Sequence, residues 1–238
     1  MTTRSVANPQ RIAARIFGLA YLPAFVVVVA VNFGILQPLI ANVDPAQAAK
    51  NILAHETLFR VGIAGFVLYC VAVLVVSAAL YVILKPVGEN LALLAAFGRL
   101  VHGFTWLLVA LNNLTALRLL SRPEYAGFPS DQLPVLARLY LSGFDQYYVG
   151  LLFWSLGATV GAYLWFKAGY VPRALSAFGI LASAWCAVCT SALLISPGFS
   201  KVVNLWAFDM PMVLFEIALS LLLLFRGLRP AGHATDQP

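Results

Sequence analysis

The chain has 238 residues, of which 62% are hydrophobic and only 10% charged, and its mean hydropathy is +0.89. Soluble domains carry about one quarter charged residues, so this composition excludes a disordered chain, a secreted disulfide scaffold and a soluble enzyme. What remains is an integral membrane protein. At about 20 residues per crossing, roughly six or seven spans fill the length and leave no room for a soluble catalytic domain.

The formal charge of +6 comes from 15 basic residues scattered between the apolar blocks. They form no run and no continuous face, so no nucleic-acid partner is expected. Cys70, Cys186 and Cys189 all lie inside apolar blocks and read as buried small hydrophobes.

Residues 1–15 read as a cytoplasmic tail bearing Arg4, Arg11 and Arg15. The first apolar block, Ile16 to Ile40, is too long for a signal core and lacks a small-x-small exit, so it is expected to stay as a span. Pro23 and Pro38 mark a kink and an exit. Asp44-Pro45 then offers an N-cap with proline at the first helical position. Ala49, Ile52, Leu53 and Phe59 follow at helical spacing, which predicts a short interfacial helix or an early start to the second span.

Further spans are expected at Val61 to Leu84, Leu91 to Leu117, Gln146 to Phe166, Ala174 to Ile195 and Val202 to Phe225. These are continuous apolar runs rather than alternating segments, so they are helices and not barrel strands. The connection from Arg122 to Ser142 is the longest. Pro123, Gly127 and Pro129 predict turns, and Ser130 is placed to cap a helix carrying Leu133, Leu136 and Leu139, either lying on the membrane or serving as a lid or partner surface. The fold class is therefore all-α: an integral membrane bundle of six transmembrane helices with short loops, one domain over 16–225, and a flexible cytoplasmic tail at 226–238.

With the N-terminus cytoplasmic, the inner loops collect eight basic residues against six outside. That bias favours both termini in the cytoplasm of a bacterial inner-membrane protein. No internal repeat aligns the two halves, so an inverted-repeat transporter finds no support.

Any chemistry lies with the few polar groups that enter the apolar blocks. Glu216 sits near the middle of the last span, where a charge costs about 2.5–3.5 kcal/mol unless it is protonated, paired or wet. Asp209 is seven residues earlier on the same helical face. Arg99 and His102 interrupt the third span, with Asn113 close to their face, and Arg99 either pairs with Glu216 or snorkels to the interface. Glu216, Arg99, His102, Asp209 and Asn113 form a candidate intramembrane polar network. His55, Glu56, Arg60 and Asp145 share a predicted depth at the outer end and form a candidate outer-rim cluster.

Cys186-x-x-Cys189 lacks both a nearby base and a second ligand pair, so no metal or redox role is expected, and no pair of histidines stands at matching depth for haem. No cofactor is expected. Gly157-x-x-x-Gly161 predicts a close helix approach, inside the bundle or in a dimer. Gly98 and Gly103 leave room for a neighbour in the same way. Trp106, Trp154, Trp165 and Trp206, with Tyr147 and Tyr170, read as a partial aromatic belt at helix ends.

Several stretches together resemble one family. They are the run from Ala54 to Ile63 (AHETLFRVGI), Leu80-Tyr81 with Lys85-Pro86-Val87, Leu91 to Leu94 with Phe97 to Val101, and Gly161 to Leu164 with Tyr170 to Arg173. Glu216 followed by leucines and Gly227 completes the likeness. The pattern resembles the bacterial membrane family catalogued as domain of unknown function 4386, from about Arg15 to Gly227. The resemblance implies an integral membrane bundle with no established activity, and Glu56, Arg60, Arg99, Arg173 and Glu216 as its defining polar positions. Ser176 stands where the resemblance leads one to expect glycine.

Three functions remain open. The first is a structural or regulatory membrane protein, with the lipid bilayer and a second copy or another membrane protein as partners. A small-solute, ion or proton transporter would use the buried carboxylates. A membrane-embedded lipid enzyme would rely on His55 with Glu56.

Overall fold

The computed structural model describes residues 6–121, 129, 131–142 and 145–229, the side chains of positions 145, 197, 200 and 205 excepted. The described residues are all-α. Helix α1 (Asn8–Val29) runs into a π-helical stretch (Ala30–Leu36) and a closing turn, α2 (Gln37–Ile40). After a short connection come α3 (Pro45–Ala54), α4 (Glu56–Leu84) and α5 (Glu89–Ser121). The rest is α6 (Gln132–Leu141), α7 (Asp145–Ala168), α8 (Arg173–Ile195), a 3-10 turn (Pro197–Lys201) and α9 (Leu205–Phe225).

Six of these helices are long and apolar enough to cross a membrane. Even α9, the shortest at 21 residues, extends about 31 Å at 1.5 Å per residue. Their outward faces are as apolar as their inward ones. Leu181, Leu19 and Val188 are 71%, 64% and 63% exposed, a surface that a water-soluble bundle would not present. Helices that are hydrophobic on every side are stable only where lipid takes the place of water.

The chain packs as two compact units, the first formed by residues up to Pro23, Ala72–Gly103 and Tyr148 onward, the second by Ala24–Val71 and Phe104–Tyr147. In the first, small residues set the helix spacing. A Cβ on Gly98 of α5 would lie 2.6 Å from the Phe153 carbonyl oxygen and 3.1 Å from the Gly157 Cα of α7. The GxxxG stripe therefore serves contact within the bundle. Gly179 of α8 accommodates the Phe215 ring of α9 in the same manner, the ring edge coming within 2.4 Å of where a Cβ would be.

In the second unit, the predicted Asp44 cap accepts from the Gln47 N–H at 2.8 Å with Pro45 opening the helix. The stretch read as either an interfacial helix or an early span start is both. His55 closes α3, and α4 begins at Glu56, five residues before the expected edge. Helix α6 forms as expected and packs on α3, with Arg138 donating to the Ile40 carbonyl. Ser130, Pro123 and Gly127 lie outside the described residues.

The aromatic belt needs correction. Trp106, Trp154, Trp165, Tyr147 and Tyr170 are all buried, and Trp206 alone of that set is exposed. Trp106 is wedged among Phe66, Tyr69 and Tyr147, with centroids 5.1–5.6 Å apart. Large rings that stack on one another bury more area here than they would at a headgroup layer.

Gly98→Ala is expected to destabilise the protein by about 1–3 kcal/mol, because backbone atoms on α7 cannot yield to the new methyl. Gly34→Ala, where nothing lies within 4 Å, serves as the control and should be neutral in the same thermal unfolding measurement.

Candidate functional site

Four helices of the first unit converge on Arg99. Arg99 is 5% exposed, and on α9 the carboxylate of Glu216, a residue 1% exposed, accepts from Arg99 Nη2. The two are 117 positions apart in the chain, so the pair ties α5 to α9. Of the two fates expected for Arg99, pairing prevails over snorkelling.

The rest of the wall is aromatic. Arg99 Cζ lies 5.5 Å from the Phe17 ring centroid, 5.6 Å from Trp154 and 5.9 Å from Tyr21. Phe17 and Tyr21 follow each other at i, i+4 on α1 and stack with centroids 6.2 Å apart. Gly18 makes this approach possible, since a Cβ there would meet the Ser220 carbonyl of α9 at 2.5 Å. The π-faces offer negative potential to the cation where water is excluded, which offsets part of its desolvation. His102, one turn beyond Arg99, is 1% exposed and stacks on the opposite partner, Trp154, at 4.7 Å.

The pair leaves two atoms over. Neither Arg99 Nε nor Glu216 Oε2 has a hydrogen-bond partner among the described residues, and the same holds for Trp154 Nε1 and for Ser220 Oγ one turn beyond Glu216. Chemically the site is a neutralised ion pair in an aromatic box. No group of three or more His, Cys, Asp or Glu able to hold a metal ion occurs among the described residues.

Asp209 is half-buried on α9, two turns before Glu216. Asn113 is buried in the second unit, and its neighbour Asn112 donates to Gln146 at 3.2 Å. Of the outer-rim set, Glu56 and Arg60 pair at 2.7 Å along one exposed turn of α4, worth tenths of a kcal/mol by position. His55 Nδ1 lies 3.0 Å from the Asn51 carbonyl oxygen, within its own helix. The Asp145 side chain lies outside the described residues. Cys186 and Cys189 are buried free thiols, the former 3.9 Å from the Thr190 hydroxyl.

Sequence reasoning missed the aromatic wall. The i, i+4 spacing of Phe17 and Tyr21 was a usable signal, but aromatic pairs at that spacing are common in any apolar helix. Trp154 carried no signal beyond its depth.

Arg99→Leu is expected to cost about 3–5 kcal/mol, because it strands a buried carboxylate. The double variant Arg99→Leu/Glu216→Leu should recover most of that loss when set beside each single variant. A double-mutant cycle on unfolding free energy checks both, and simple additivity of the two single effects would refute the coupling.

Comparison with known proteins gives one match. The family model described as "Domain of unknown function (DUF4386)" covers residues 16–227. No curated protein and no solved structure matches the chain.

Proposed function

The chain belongs to the DUF4386 family of multi-pass membrane proteins of unknown function, and from that premise we propose that it acts as a structural or regulatory membrane protein. One observation carries this reading. The two charges that enter the bundle at Arg99 and Glu216 are spent on each other, inside a wall of Phe17, Tyr21 and Trp154. A coupling carboxylate in a transporter has to exchange its partner during the cycle. A pair enclosed by rings on two further helices, α1 and α7, is suited instead to fixing the register of α5 on α9, a specificity role that buried ion pairs fill in other folds. The protein's activity then resides in the partner it holds, a second copy or another membrane protein. Both termini are placed in the cytoplasm on the basic bias of the inner loops.

The transport reading has one observation in its favour, the Glu216 Oε2 left without a partner among the described residues. The lipid-enzyme reading has less support. His55 is directed to the Asn51 carbonyl and Glu56 to Arg60, so the acid–base pair that it requires is not assembled.

Proton-gradient decay in reconstituted vesicles separates the first two readings. Native protein and Glu216→Gln are expected to match empty vesicles, while the variant unfolds at lower temperature. Proton-dependent flux in the native protein, abolished by Glu216→Gln with helicity intact, would overturn the structural reading.

A further inference from the structure

One end of the first unit gathers cations around a fixed centre. Tyr170, in the α7–α8 turn, is 3% exposed. Its hydroxyl accepts from Gln10 Nε2 at 3.1 Å, and its carbonyl accepts the Arg229 backbone N–H at 2.9 Å. Gln10 Nε2 also donates to the Ile83 carbonyl at 2.8 Å. These bonds gather the start of α1, the end of α4, the α7–α8 turn and the segment after α9.

Arg11, Lys167, Arg173, Arg226 and Arg229 stand on this hub, each exposed and each within three residues of a bonded member. None of the five makes an ion pair among the described residues. Glu89, the acid nearest in the chain to the end of α4, is held by Lys85 at 3.1 Å. Its carboxylate hydrogen bond lifts the Lys85 pKa above the ordinary lysine value. The Arg173 guanidinium rests 5.9 Å from the ring centroid of Phe166, itself an exposed ring at the end of a span.

Five cations that make no ion pair among the described residues lie where apolar helices end, which is the depth of lipid phosphates. Guanidinium forks match phosphate oxygens in charge and shape. The hub presents them on hydrogen-bonded backbone, so little ordering is needed on contact. We propose that this end is a docking surface for anionic phospholipid headgroups, with Tyr170 as the hub that positions Arg11, Lys167, Arg173, Arg226 and Arg229 toward the phosphates. The proposal does not depend on the role of Arg99 and Glu216.

The test uses the full chain in vesicles of phosphatidylcholine, with and without phosphatidylglycerol. The unfolding temperature is expected to rise with phosphatidylglycerol, and native mass spectrometry should show that lipid retained severalfold over phosphatidylcholine. Lys167→Gln/Arg173→Gln/Arg226→Gln/Arg229→Gln should lose both effects while unfolding normally in phosphatidylcholine. Should that variant fold poorly, high salt applied to the native protein should erase the lipid-dependent rise. Equal behaviour in the two vesicles, or a rise that survives both the variant and salt, overturns the proposal. An equal rise in phosphatidylcholine with millimolar inorganic phosphate or soluble polyglutamate also overturns it, by assigning the surface to a free anion or an acidic protein.

Discussion

A guanidinium and a carboxylate taken out of water in a hydrocarbon setting must find each other or lose their charges, and that constraint organises the first unit. Arg99 and Glu216 meet from α5 and α9, and every neighbouring choice follows from letting them meet. Gly18 lets α1 lie against the backbone of α9, which brings Phe17 and Tyr21 to the guanidinium. Gly98, next to Arg99, lets α7 approach until Trp154 covers another side. Apolar contact alone discriminates poorly between helix registers in lipid, because lipid tails are as apolar as leucine. A single charged pair discriminates sharply. A shift of one residue would rotate Glu216 by about 100 degrees away from its partner.

Close packing supplies what the hydrophobic effect does not. Within a bilayer, helices associate through van der Waals contact and sparse polar bonds. The contacts at Gly98 with Gly157 and at Gly179 with Phe215 are of this kind, the first backbone against backbone and the second a ring seated in a gap. Ser155, Thr159 and Ser191 each bond a carbonyl of their own helix. The interhelical polar contacts of the first unit include the ion pair, the Tyr170 hub and the Trp185 indole, which donates to the Ala207 carbonyl of α9.

The six spans were legible because they depend on local composition alone. So was the Asp44-Pro45 cap, whose geometry is set by adjacent residues. Helix ends were less legible. α1 begins at Asn8 and α4 at Glu56, beyond the apolar runs, because a helix continues past hydrocarbon until a cap or turn stops it. The site was half legible. Burial cost singles out Arg99 and Glu216 from sequence, yet their pairing depends on the packing of α5 against α9, which no local pattern encodes. Trp154 and Trp106 were misread for the same reason. A tryptophan has one composition signal and two homes, and only the neighbours decide between a headgroup layer and a ring cluster. The Tyr170 hub had no signal at all, being made from a glutamine side chain and backbone carbonyls.

The polar groups thus fall into two electrostatic regimes with different consequences. In the interior of the first unit Arg99 and Glu216 neutralise each other, a buried pair that salt screens little. At the Tyr170 end the five exposed cations make no ion pair among the described residues, and their field extends outward over the Debye length of about 8 Å at physiological ionic strength. On the proposed reading, the interior pair sets helix geometry and the exposed cations meet the membrane surface, so the protein couples to its surroundings through that surface. Any regulation it exerts or receives through lipid is then read most directly at Arg173 and the segment after α9, where the α7–α8 turn and the exposed cations coincide.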